Sequence, residues 1–161
     1  MPLMKSSEVM RKWFEEVWCN GRGDLIGEMF ADDGVAHGLG PEPVKGPPAF
    51  RAFWKRFNEV FKNIRIEVKG AVDEGEQCYV RCAGRMKFRD KEVVLDGGCL
   101  ATVRGGKIRE CWNLWDFTGL LVSMEALPPD AIERAFRGEK ATFDGSGAAG
   151  APPADLPPTA A

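Results

Sequence analysis

An aspartate ends an aromatic run near the end of the patterned part of this chain. The run reads CWNLWDF over residues 111–117 and contains Asp116. Aspartate is poor in strands and costly to bury alone, so its presence calls for a turn, a salt bridge or a chemical role. Counting by two along a strand places Asp116 on one face with Trp112 and Leu114, an apolar setting in which a desolvated carboxylate becomes a stronger proton acceptor. A bulge in the strand would invert this count.

The chemistry that such a carboxylate suggests is removal of a proton alpha to a carbonyl. This reaction needs a base, a dry pocket and a donor for the developing enolate oxygen. Asp116 is the candidate base, and His37, the single histidine of the chain, is a candidate donor if it lies in the same pocket. The alternatives are that Asp116 caps the next helix through the amide of Thr118 or Gly119, and that His37 is an ordinary hydrogen-bonded histidine at a sheet edge.

Two amphipathic helices supply the core that must hold these residues. Ser6 or Ser7 can cap the first helix, and a Gly- and Pro-rich loop at residues 38–48 precedes the second. Apolar residues recur at helical spacing in both, namely Val9, Met10, Trp13, Phe14, Val17 and Trp18 in the first and Phe50, Phe53, Trp54, Phe57, Val60 and Phe61 in the second. We expect Trp13, Phe50 and Trp54 to reach the pocket wall and contact a substrate, together with Trp112 and Leu114.

The second half of the patterned region alternates with the period of a strand. Turn signals at RDK and RGGK divide it, so residues 77–88, 92–103 and 107–117 predict an antiparallel meander. Helices followed by a bent meander predict an α+β fold in which a curved antiparallel sheet wraps a long helix. The predicted organisation is one domain over residues 1–126, a short helical extension over 127–137 and a disordered tail rich in Gly, Ala and Pro over 138–161.

Composition excludes several classes of partner. The net charge of -2 and the lack of long Lys and Arg runs disfavour a nucleic acid, and no apolar stretch reaches the 18 residues of a membrane span. Five widely spaced cysteines lack the spacing of a disulfide framework or a zinc site, which indicates reduced thiols and no metal. Charged residues interrupt the apolar residues of the N-terminal segment, which therefore lacks a signal-peptide core, and we expect a soluble, cytoplasmic protein. We expect no cofactor.

Three segments resemble a known family. They read WFEEVWCNGRGDLIGEMFADDGVAHG, GPPAFRAFWKRFNEVFKNIRIEV and GGKIRECWNLWDFTGLL, and they are similar to the SnoaL-like polyketide-cyclase branch of the NTF2-like superfamily. The resemblance implies the cone-shaped NTF2-like, or cystatin-like, fold, with an acid/base aspartate in the last strand at Asp116 and a pocket histidine in the first strand at His37. It also implies a homodimer through the outer face of the sheet, which we expect to bury Asn113 and Trp115.

Departures from the family pattern qualify the expected activity. Many cyclases of this branch carry a Thr-His pair in the middle of the sheet, where this chain reads GRMKF. The single tyrosine, Tyr79, falls on the wetter face of its strand, which disfavours a steroid isomerase, and the Asp-Arg-Asp set of the epoxide hydrolases is not reproduced. We therefore expect a cofactor-independent enzyme that deprotonates, cyclises or isomerises an apolar carbonyl compound, with a non-catalytic module for apolar ligands or dimerisation as the alternative. A protein-interaction domain resembling nuclear transport factor is disfavoured.

Overall fold

The computed structural model describes residues 4–143 of the 161-residue chain. The chain divides after Ala126 into two compact units. The described part of the second unit contains the short helix α5, Ala131–Phe136, and residues 138–143 form neither helix nor strand. The rest of the predicted disordered tail, residues 144–161, lies outside the described residues. Within residues 4–143, no helix has the length and apolar character needed to cross a membrane.

The first unit begins with an α-helix that continues directly as a π-helix. The helical segments of this unit are α1 (Ser6–Lys12), a π-helix (Trp13–Cys19), a 3-10 helix (Gly23–Leu25), α2 (Ile26–Met29), α3 (Gly46–Val60) and α4 (Phe117–Ser123). Neither predicted serine caps α1, because Lys5 is the N-cap residue and Ser7 binds Asp73 through its amide and hydroxyl, at 2.8 and 2.5 Å. The π-helix turns Trp13, Phe14, Val17 and Trp18 into the core.

These helices pack against one curved, open sheet of six strands. The strands are β1 (Phe30–His37), β2 (Val44–Lys45), β3 (Phe61–Glu74), β4 (Gln77–Phe88), β5 (Lys91–Arg104) and β6 (Lys107–Trp115), in the spatial order β2-β1-β6-β5-β4-β3. The antiparallel meander of β4, β5 and β6 and the α+β fold class are confirmed. The pairing of β1 with β6 is parallel, so the end of the first strand lies beside the end of the last.

The core lies between the helices and the inner face of the sheet. On β4, buried Cys78, Val80 and Cys82 alternate with exposed residues, as the period of two predicts. On α3, Phe50 is buried and contacts Trp13 and Phe30, with ring centroids 5.1 and 5.0 Å apart. Aromatic side chains therefore fill most of the space that the curved sheet encloses.

Candidate functional site

A small cavity remains between the helices and the inner face of the sheet. Its free volume is about 50 Å³. Its wall is almost wholly apolar and is formed by Met10, Trp13, Phe14, Trp18, Phe30, Leu39, Phe50, Phe53, Phe57, Ile66, Leu95, Cys99, Ile108, Cys111, Asn113, Trp115 and Phe117. Ligand pockets usually hold roughly 300–1,000 Å³, so a guest of ordinary size can enter this cone only if side chains move.

The amide of Asn113 is the polar group in this wall. Its Nδ2 donates to the backbone oxygen of His37 at 2.9 Å, and its Oδ1 accepts from Trp115 Nε1 at 3.2 Å. The backbones of β1 and β6 approach closely here, since a Cβ added at Gly38 would lie 2.1 Å from the oxygen of Asn113. The amide nitrogen therefore joins β6 to β1, and the amide oxygen accepts from a residue of the same strand. Both ends of the amide are occupied, which leaves the wall poor in directional contacts for a guest.

Two thiols, those of Cys99 and Cys111, also line the cavity. Burial raises the pKa of Cys111 to about 11 and holds the pKa of Cys99 well above its ordinary value near 9. Both side chains are consequently neutral thiols at neutral pH, and a neutral thiol is neither a strong nucleophile nor a base. All five cysteines, Cys19 included, are free.

A bulge at Arg109 changes the face that each residue of β6 presents. Thr102 of β5 pairs with Glu110, and the next residue, Val103, pairs with Ile108, so Arg109 is the extra residue. Two consecutive exposed residues, Arg109 and Glu110, separate buried Ile108 from buried Cys111. The guanidinium of Arg109 binds Asp33 at 2.7 Å, within a stretch where the register of β1 against β6 also shifts.

The bulge overturns the predicted inner face of the last strand. Beyond it, Cys111, Asn113 and Trp115 face the cavity, whereas Trp112 and Leu114 point outward and are 52% and 70% exposed. The expectation that Trp112 and Leu114 line the pocket is therefore wrong, as is the expectation that Asn113 and Trp115 belong to the outer face. The cause is one unpaired residue, which shifts every later side chain to the opposite face.

Asp116 lies at the end of β6 with its side chain exposed. Its Oδ1 accepts a hydrogen bond from the amide of Gly119 at 2.7 Å, which makes it the N-cap of α4. Its own amide donates to the oxygen of Asp96 at 2.8 Å and continues the pairing of the sheet. The carboxylate does not join the apolar wall as predicted, because the first turn of α4 holds it outside the cone.

His37 lies beside Asp116's strand but on the outer face of the sheet. Its Nε2 is 3.0 Å from Glu110 Oε1, and its ring stacks on Trp112. Its side chain is not part of the cavity wall, although its backbone oxygen binds Asn113 there. The structure thus brings His37 together with Glu110 and Trp112, and it does not bring His37 and Asp116 together in a pocket.

Of the helical residues expected to touch a ligand, Trp13 and Phe50 line the cavity, and Trp54 does not. Trp54 instead donates from Nε1 to the oxygen of Val17 at 3.0 Å and packs over Gly23, where a Cβ would lie 2.6 Å from its ring. The sequence prediction missed the wall residues Cys99, Cys111, Asn113, Trp115 and Phe117. The helical stripe identified Trp18 and Phe57 as apolar, but helical spacing alone does not separate a core residue from a wall residue.

Within the described range 4–143, no three side chains of the His, Cys, Asp and Glu types converge in a way that could hold a metal ion. The wall residues offer two neutral thiols and one occupied amide, so no donor set for a cofactor was identified among them.

A curved, open six-stranded sheet packed against aromatic helices, with a cavity between the two, defines the ketosteroid isomerase-like, or NTF2-like, class of fold. The SnoaL-like domain profile matches residues 10–111, and the chain belongs to this family. The match ends before Asp116. A separate comparison with curated proteins found no match.

Solved structures from several bacteria share the fold. A protein from Catenulispora acidiphila DSM 44928 with a ketosteroid isomerase-like fold is 18% identical, with a TM-score of 0.66 over 76% of this chain and 95% of its own. A candidate SnoaL-like polyketide cyclase from Jannaschia sp. CCS1 is 18% identical, with a TM-score of 0.67 over 80% and 98%. An LEH-like epoxide hydrolase from M. tuberculosis is 11% identical, with a TM-score of 0.64 over 83% and 96%.

At these identities the likeness establishes the fold and leaves the reaction open. The family membership and these neighbours specify neither the chemistry nor the substrate of this chain.

Proposed function

We propose that this protein binds a small apolar molecule in its cone and that the residues lining the cone hold the molecule without acid–base chemistry. The observation that carries the proposal is the composition of the wall. Among the described residues that line it, none carries a carboxylate, an imidazole or an amine, and the two titratable groups are thiols whose pKa burial raises. General acid–base catalysis needs a titratable group within hydrogen-bond reach of the substrate, and this wall supplies a neutral thiol at best.

The same wall defines the class of ligand. A charged guest would lose its hydration without gaining a counter-ion, which is strongly unfavourable in an apolar site. A flat, uncharged and largely aromatic guest can contact the edges and faces of Trp13, Phe50 and Trp115 instead. Since the free volume is about 50 Å³, binding requires some of these side chains to change rotamer.

Binding can be tested with the neutral fluorescent probe N-phenyl-1-naphthylamine. Cys99 and Leu100 are neighbours on β5 that face opposite sides of the sheet, so they provide a matched pair. Cys99→Leu adds bulk to the cavity and should weaken probe binding about tenfold or more, a loss of roughly 1.4 kcal/mol. Leu100→Ala should leave the affinity unchanged. Binding that does not saturate, or that both variants change alike, would contradict the proposal.

The enzymatic function expected from the family is the second candidate. It is acid–base chemistry on an apolar carbonyl compound with Asp116 as acid or base and His37 assisting, and the support for it is the family membership together with the cyclase and epoxide hydrolase names of the structural neighbours. Asp116→Asn keeps the shape of the side chain and removes its basicity. If a candidate carbonyl compound is converted by the parent protein and about 10²- to 10⁴-fold more slowly by this variant, the enzymatic function replaces the binding function.

We also propose a homodimer through the outer face of the sheet. Exposed Val72, Tyr79, Leu100 and Trp112 stand opposite one another on β3, β4, β5 and β6, and they form an apolar row across four strands. Contiguous exposed apolar side chains on a sheet face commonly mark an interface. The residues that support a dimer are therefore these four and Leu114, in place of Asn113 and Trp115.

A further inference from the structure

At the junction of β6 and α4, an exposed residue, Asp116, is followed directly by a residue of the cavity wall, Phe117. Phe117, the first residue of α4, is half-buried and lines the cavity, and Leu120, one turn later, is buried in the core. Helix α4 has seven residues, and helices this short are not stable through their own hydrogen bonds. The position of Phe117 consequently depends on what fixes the first turn of α4.

The first turn of α4 is fixed by Asp116. The carboxylate accepts the hydrogen bond of the Gly119 amide, and the oxygen of Asp116 accepts that of Leu120 at 3.0 Å. This contact requires a glycine at position 119, because a Cβ there would lie 2.3 Å from Asp116 Oδ2. The aspartate and the glycine three residues later thus form one capping unit.

We propose that Asp116 is a positioning residue: by capping α4 it holds Phe117 in the cavity wall and so controls access to the cone. The inference rests on the proposed function, since access matters only if the cone takes a guest. It assigns to the exposed carboxylate an effect on the cavity that requires neither proton transfer nor contact with the ligand. An asparagine should perform this role as well as the aspartate, because the two residues are nearly equal as N-caps. A catalytic carboxylate would not be replaced in this way.

The cavity thiols provide a readout that is independent of any ligand. Cys99 and Cys111 line the cavity, whereas Cys78 and Cys82 are buried in the core and are not part of its wall. The experiment measures the rate at which the neutral reagent 4,4′-dithiodipyridine labels each thiol at pH 8, resolved by peptide mapping. Opening at α4 should expose the first pair alone, and loosening of the whole domain should expose all four.

The expected result separates four variants. In the Asp116→Ala variant, the reagent should label Cys99 and Cys111 about fivefold faster than in the parent protein. This is the change in a local opening equilibrium that is expected when an N-cap side chain is lost. The labelling rates of Cys78 and Cys82 should not change. Gly119→Ala should behave like Asp116→Ala, because its Cβ displaces the carboxylate. Asp116→Asn and the exposed neighbour control Thr118→Ala should behave like the parent protein.

Three outcomes would overturn the inference: an unchanged rate in Asp116→Ala, an Asp116→Asn variant as fast as Asp116→Ala, or equal acceleration of all four buried thiols. The two proposals can fail separately. If labelling responds as expected but N-phenyl-1-naphthylamine does not bind the parent protein, the positioning role holds and the proposed function fails. If the probe binds the parent protein but labelling does not respond to the substitutions, the proposed function holds and the positioning role fails.

Discussion

His37 stacks face to face on Trp112 on the outer side of the sheet, with ring centroids 3.8 Å apart and ring planes within 10°. The two residues are direct neighbours on the parallel strands β1 and β6. The contact joins the first and last strands of the sheet, and it places the single histidine of the chain in a structural pair outside the cavity.

The first prediction concerns this pair. His37→Ala and Trp112→Ala should each lower the free energy of unfolding, and the double variant should lose less than the sum, by about 0.5–1.5 kcal/mol, because an aromatic contact is shared. Urea unfolding of the four proteins measures this. Neither substitution should change the affinity for N-phenyl-1-naphthylamine. Fully additive losses, or weakened probe binding in His37→Ala, would contradict the structural role.

The second prediction tests the proposed dimer. Leu100→Glu places a charge in the middle of the apolar row and should shift the protein to monomers, since an unpaired charge at an interface centre is strongly unfavourable. The mass in solution can be measured by light scattering after size-exclusion chromatography. Val60→Glu is the control, because Val60 is similarly exposed but lies at the end of α3, away from the row. A parent protein that is monomeric at high concentration would rule out the dimer.

The third prediction concerns alkaline pH. Burial raises the pKa of Cys78 to about 11 and that of Cys82 to about 12, from ordinary values near 9. A raised pKa in the folded state means that folding favours the protonated thiol. This contribution is complete below pH 9 and is lost as the pH rises through 9 toward 11 and 12. The melting temperature should therefore fall over this range.

Other groups titrate in the same range, so the test needs a comparison. A variant with Cys78→Ala and Cys82→Ala should melt lower at neutral pH because of the cavities it creates, but its melting temperature should fall less steeply above pH 9. Parallel slopes for the two proteins would show that these thiols do not cause the alkaline loss.

The fourth prediction concerns the aromatic core. Phe50 contacts the rings of Trp13, Trp18, Phe30 and Phe53. Phe50→Ala should cost about 3–5 kcal/mol of unfolding free energy, as is usual for removing a buried phenylalanine. Phe136→Ala, which removes a side chain that is 86% exposed in the second unit, should change stability by less than about 0.5 kcal/mol. Denaturant unfolding of both variants measures the difference, and a similar small loss in both would contradict the assigned core.

Most of the fold could be predicted because its patterns are local. The apolar stripe of α3 and the alternation of buried Cys78, Val80 and Cys82 along β4 follow directly from helical and strand periods. The family resemblance then supplied the curved sheet, which the structure confirms. The parallel pairing of β1 with β6 leaves no local pattern in the sequence, because it joins residues more than seventy positions apart in the chain, such as His37 and Trp112.

The candidate site was predicted less well, because one residue decided it. A strand period is reliable only while every residue pairs, and nothing in KIRECWNLW, such as a glycine or a proline, marks the bulge at Arg109. The bulge is seen only in the pairing of β6 with β5, and Arg109 contacts Asp33 of β1, so both features join residues far apart in the chain. The sequence did contain one signal for the alternative role of Asp116, namely the spacing of an N-cap aspartate three residues before Gly119.

The unpaired residue Arg109 also decides which of two sets of side chains from β6 faces the cavity. With the bulge, the interior receives a thiol, an amide and an indole from Cys111, Asn113 and Trp115. Deleting Arg109 would restore the uninterrupted alternation of the strand and turn the side chains of Trp112 and Leu114 inward together. In this scaffold, the chemistry of the interior can therefore be exchanged through a change in strand length, with no change in the composition of the segment that follows.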